Sequence, residues 1–112
     1  MQQEDLQASF ANIPGSTARM ARGFRRALEE LADRQAVTAG FTPELMDQQL
    51  QAVVSDYHQN AQGIINGVAQ HVREAERVGQ PVPEPPDLSG ALAILKVRSL
   101  ADAEKLVATF ES

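Results

Sequence analysis

The sequence predicts an all-α protein, an antiparallel helical hairpin with one long helix plus a C-terminal helical segment after a Pro-rich linker. Three observations lead there. The stretch from Pro43 to Val78 holds no proline after its first position. Its apolar residues Met46, Leu50, Val53, Tyr57, Ala61, Ile64, Val68, Val72 and Ala75 recur at four, three, four, a period of about 3.67 residues per turn that keeps one stripe on one side of a nearly straight helix. In the segment before it, Met20, Phe24, Ala27, Leu28 and Leu31 share a narrow arc of the helical wheel, and a joint of about four or five residues usually leaves two helices as antiparallel neighbours.

Residues 1–15 are polar with scattered Leu6, Phe10 and Ile13 and end in the breaker pair Pro14-Gly15, so they read as an N-terminal arm or a short separate helix. A helix over 16–38 follows, with Ser16 or Thr17 as its N-cap and Gly40 closing it. The long helix, 43–78, has the best-defined start in the chain. Thr42 offers a capping hydroxyl, Pro43 suits the first helical position, and Glu44 is an acid where the helix dipole favours one. Residues 79–87, Gly-Gln-Pro-Val-Pro-Glu-Pro-Pro-Asp, form the linker and favour extended polyproline II, with a reach of roughly 25 Å for eight residues. In the final segment, 88–111, Leu88, Leu92, Leu95, Ala103, Leu106 and Phe110 nearly keep the helical spacing. A second reading makes 91–97 a strand and starts a helix at Ser99, because Ser99-Leu100-Ala101-Asp102 resembles a capping box. Helix with a kink near Ser99 is preferred, since no other segment supplies a strand partner.

Size then poses a question. A 36-residue helix is about 54 Å long, whereas a compact chain of 112 residues has a radius of gyration near 13 Å. The long helix therefore bends, with Gly63 and Gly67 the natural sites, or the molecule is elongated, or a partner covers the overhanging end.

Composition narrows the function. At 112 residues the chain fits one domain able to bury about two thirds of its unfolded surface. It has no cysteine, which removes disulfides, thiolate metal sites and a Cys nucleophile and mildly favours a cytosolic setting. Ten basic and fifteen acidic residues give a net charge of -5, which argues against nucleic acid as a partner of the whole chain. Residues 1–40 balance five basic against five acidic groups, so 41–112 hold the excess. No apolar run of about 18 residues suggests a membrane span. The start, Met1-Gln2-Gln3-Glu4-Asp5, is acidic, unlike a signal peptide. A cytoplasmic location is expected, with signal-less secretion left open.

The candidate sites follow from these patterns. No nucleophile with a base, no paired carboxylates in a recognisable setting and no glycine-rich phosphate loop occur, so catalytic, cofactor and metal sites are each expected to be none. His58 and His71 are too far apart on one helix to hold one metal, and His71, at the edge of the stripe, is expected to be partly buried with a hydrogen bond. Adjacent Asp56, Tyr57 and His58 point apart on a helix. The partner-binding candidates are Met46, Leu50, Val53, Tyr57, Ile64, Val68 and Val72 on the stripe. Gly63 and Gly67, one turn apart, are candidates for close helix contact because each costs roughly 1 kcal/mol against alanine. Arg19, Arg22, Arg25 and Arg26 precede Glu29, Glu30 and Asp33 on one helix, an order that opposes the helix dipole. They are candidate anion-binding residues, against the plainer reading of Arg25 with Glu29 and Arg26 with Glu30 as surface pairs worth about 0.3–0.5 kcal/mol each. The expected function is a non-enzymatic protein-protein interaction module, an adaptor, assembly factor or small structural subunit, with a protein partner or a homo-oligomer. The alternative is a regulatory protein binding nucleic acid or another phosphate-bearing ligand through the arginines.

Overall fold

The computed structural model describes residues 2–81 and 86–111, with side chains from Phe10 onward. It is all-α: α1 (Gln2–Val37), α2 (Pro43–Arg77), α3 (Ser89–Ile94) and α4 (Leu100–Glu111), with no strand among the described residues. The two long helices pack against each other as an antiparallel hairpin. Residues 82–85 of the proline-rich linker lie outside the described residues.

The first helix departs from the expected arm and break. α1 runs unbroken through Pro14 and Gly15, so 1–15 and 16–38 form one element rather than two. Proline inside a helix removes the N–H that would bond the carbonyl four residues back, here that of Phe10, at a cost of about 3 kcal/mol. Burial offsets it. Phe10 on α1 and Val68 and Ala75 on α2 are all buried at that end of the hairpin, and each large apolar side chain so covered contributes about 1.5–3 kcal/mol. Thr17 caps nothing; it lies mid-helix with its hydroxyl donating to the Pro14 carbonyl at 3.0 Å.

The long second helix begins and ends on local chemistry. Thr42 is the N-cap, its Oγ1 accepting from the Leu45 amide at 3.1 Å, with Pro43 at the first helical position. At the other end Gly79 adopts φ 71°. The Gln80 amide bonds the Ala75 carbonyl at 2.9 Å and the Gly79 amide bonds that of Glu76 at 3.2 Å, the paired bonds of a Schellman stop. Neither helix folds back: the molecule is 60 × 28 × 20 Å with a radius of gyration of 17.3 Å. The overhang foreseen for α2 is met inside the chain, by a first helix of 36 residues that is as long as the second.

The C-terminal segment is not one helix kinked at Ser99 but two short helices, α3 and α4, separated by the non-helical residues 95–99. Ser99 Oγ accepts from the Asp102 amide at 3.2 Å while Asp102 Oδ2 accepts from the Arg98 amide at 3.1 Å, so the box-like sequence does start α4. The strand reading of 91–97 is not adopted. Leu88 to Val97 turns on itself instead, with the Lys96 and Val97 amides bonding the carbonyls of Ala93 and Ile94.

α1 is the central element. α2 and α4 both pack on it without touching each other, and α3 contacts α1, α2 and α4. The core gathers Phe24, Leu28, Leu31, Ala61, Ala91, Ile94, Val97 and Ala103. Phe24 is its hub, fully buried and stacked on Tyr57 with ring centroids 4.6 Å apart and planes 11° from parallel. Two glycines make room. A side chain at Gly90 would place its Cβ 2.6 Å from Thr17 Oγ1 and 2.9 Å from Phe110 Cζ, and one at Gly23 would sit 3.0 Å from the Tyr57 hydroxyl.

Candidate interaction surface

The apolar stripe of α2 is turned inward. Met46, Leu50, Val53 and Tyr57 are half-buried against the core. Further along, Val68 is buried and Ile64 and Val72 are half-buried at the end of the hairpin that α1 covers. The residues singled out as partner-binding therefore serve first as the seam of the hairpin.

Gly63 and Gly67 do not mark a contact between helices of this chain. A Cβ built on either would meet nothing within 4 Å, and α2 passes both positions without interruption. The close approaches lie at Gly23 and Gly90, which the residue spacing alone did not distinguish from other glycines.

The burial and hydrogen bond expected of His71 are found at His58 instead. His71 is exposed. His58 is half-buried, and its Nε2 donates to the Val97 carbonyl at 2.8 Å. Its ring meets Phe24 edge-on at 6.3 Å. This bond pins the corner between α3 and α4 onto α2. Beside it an open groove of about 680 Å³ is lined by Leu50, Val54, His58, Gln62, Leu95 and Arg98 among others.

The arginines lie along the outer side of α1, with Arg19, Arg22 and Arg26 exposed and Arg25 half-buried. Arg25 Nε stands 3.6 Å from Glu29 and Arg26 Nε 3.7 Å from Glu30. Arg19 reaches back to the Ser16 hydroxyl at 3.4 Å. Acids one turn on thus stand near two of the four guanidinium groups, Arg26 with Glu30 as an ordinary surface pair and Arg25 with its Nε buried and without a hydrogen bond. At the end of α2, Arg77 and Glu74 form a further pair that holds the Glu74 carboxyl below its usual range.

The outer sides of the two long helices differ. Seven of the eight exposed residues from Arg19 to Gln35 on α1 are charged, whereas of the thirteen exposed from Gln48 to His71 on α2 only Asp56 is an acid and none is Lys or Arg. Gln and Asn dominate this second face, with Ala52, Ser55 and Gly63 between them. The signal was present in the sequence as a 25-residue run, 48–72, with a single Asp, Glu, Lys or Arg. It gains meaning only once the fold shows which residues face out. Depletion of charge is the compositional mark of a protein interface core.

Among the described residues no three acids or histidines gather as a metal site would need. No helix among them is long and apolar enough to cross a membrane. Comparison of the chain with protein-family models, curated proteins and solved structures finds no match.

Proposed function

We propose that this protein is a non-enzymatic helical protein-protein interaction module, an adaptor, assembly factor or small structural subunit, that presents its long hairpin to a protein partner. One observation carries the reading. The chain exposes 7354 Å², about 1,300 Å² more than a compact monomer of its mass would, and its radius of gyration of 17.3 Å exceeds the roughly 13 Å of a compact domain. The excess is larger than the roughly 800 Å² that each partner contributes to a standard interface. The charge-poor side of α2 supports the same reading, since it is cheaper to strip of water than the charged side of α1.

Small-angle scattering combined with cross-linking in cells tests it. A radius of gyration near 17.3 Å for the free chain and a reproducible cross-linked complex, with itself or with another protein, are expected. A compact particle, or an elongated one that cross-links to nothing, overturns the proposal.

A further inference from the structure

We infer that the partner is a second copy of this chain, docked through the outer face of α2 in a two-fold arrangement. The inference rests on the interaction-module reading and adds the occupant and the face.

Three features converge on that face. The first is charge. Each copy carries a net charge of -5, so two copies repel as whole bodies, yet residues 48–72 contribute one carboxylate, Asp56, and no other Asp, Glu, Lys or Arg. The charge that would oppose self-association sits elsewhere.

The second is hydrogen-bonding chemistry. Gln48, Gln59, Gln62, Asn66 and Gln70 lie on the exposed side of α2, and every amide offers both a donor and an acceptor. A row of amides is therefore complementary to a copy of itself, which a row of like charges never is. In a two-fold interface each such contact is made twice.

The third is shape. Gly63 and Gly67 open onto free space, and both weaken the helix that contains them without serving any packing inside the chain. Gly63, exposed beside the amide row, and Gly67, half-buried at its edge, allow a second backbone to approach closely there. A row from Gln48 to Gln70 is about 33 Å long at 1.5 Å per residue. The face of one helix about 10–12 Å across gives about 330–400 Å² over that length, and the full side of the molecule, 20–28 Å across, about 700–900 Å², so a seam centred on α2 that extends onto its flanks reaches half a standard interface.

The test uses the full chain, followed by sedimentation equilibrium from low micromolar to hundreds of micromolar. The wild type is expected to approach twice its 12.1 kDa mass. Two variants separate the face from bulk charge. Gln59→Glu with Asn66→Glu puts like charges on the proposed seam and is expected to weaken the dimer at least about tenfold while circular dichroism stays unchanged. Ala101→Glu with Ala108→Glu adds the same charge at exposed positions of α4 and is expected to leave the dimer intact.

A chain that stays monomeric throughout overturns the inference. The interaction-module reading then stands or falls separately, on whether cells yield a cross-link to a different protein. A dimer that survives Gln59→Glu with Asn66→Glu, or one that both variant pairs weaken equally, also overturns it, because the α2 face is then not the seam.

Discussion

Both long helices bury one apolar stripe against the other, yet their outer sides follow opposite chemistry. α1 shows the solvent Arg19, Arg22, Arg26, Glu29, Glu30, Asp33 and Arg34, and two of its arginines stand near acids one turn on. α2 shows it mostly amides and small residues. An ionised group taken from water without a partner costs several kcal/mol or more, an amide roughly 1–3 by mutational measures. The inner stripe of an amphipathic helix reports what holds the fold together. The outer side reports what the helix can afterwards give up to a partner, and here only one of the two helices can give up its water at modest cost.

The largest expected effect comes from the seam that holds the two sides apart. Phe24→Ala removes the ring that joins α1 to Tyr57 and His58, and denaturant unfolding is expected to show a loss of about 3–5 kcal/mol. Less than about 1 kcal/mol would mean the hairpin is held elsewhere, and the division into inner and outer sides would lose its basis. Gly90→Ala comes next. Its methyl collides with Thr17 and Phe110, so α3 must shift, with about 1–3 kcal/mol lost and faster amide exchange in α3.

The two open glycines sharpen the comparison by moving the other way. Gly63→Ala and Gly67→Ala meet no neighbour and are each expected to stabilise the monomer by up to about 1 kcal/mol; destabilisation of the isolated monomer would show an intramolecular contact at these positions. On α1, Arg26→Ala is expected to change stability by less than about 0.5 kcal/mol, because its pair with Glu30 is exposed on both sides. A larger loss in thermal melts would make that face part of the scaffold.

The smallest effect is on pH. The Arg77 guanidinium beside Glu74, and the Ser89 hydroxyl and amide beside Asp87, hold both carboxyls below their ordinary range. A carboxyl depressed in the folded state contributes stability above its unfolded pKa and loses it as pH falls through the folded value. Acid should therefore loosen the end of α2 and the approach to α3, and carboxyl titration by NMR should place both midpoints below those of free side chains.

Much of this architecture could be read from the residues. Thr42, Pro43 and Glu44 announced the start of α2, Gly79 its end and Ser99 the start of α4, because caps and stops are settled by three or four neighbouring residues. Pro14 misled for the complementary reason. Its local cost is real, but Phe10, Val68 and Ala75 are buried by pairing residues more than fifty positions apart, and no local pattern records that gain. The same distance hid the close approaches at Gly23 and Gly90 and the anchoring of His58 to Val97. The charge-poor run of α2 was visible as composition but had no direction until the fold turned it outward.

The position of α4 bears on how the molecule is made. Phe110 meets the α1 and α3 contact at Thr17 and Gly90, and α4 packs on α1 and not on α2. During synthesis the hairpin can zip together as soon as α2 has emerged, a pairing of neighbours in the chain. The surface of α1 that α4 covers acquires its full surroundings only after α4 has been translated. Such closure of distant segments is the slow kind of folding step and leaves apolar surface exposed meanwhile. A nascent chain stalled before α4 should accordingly be the species that chaperones bind and proteases cut.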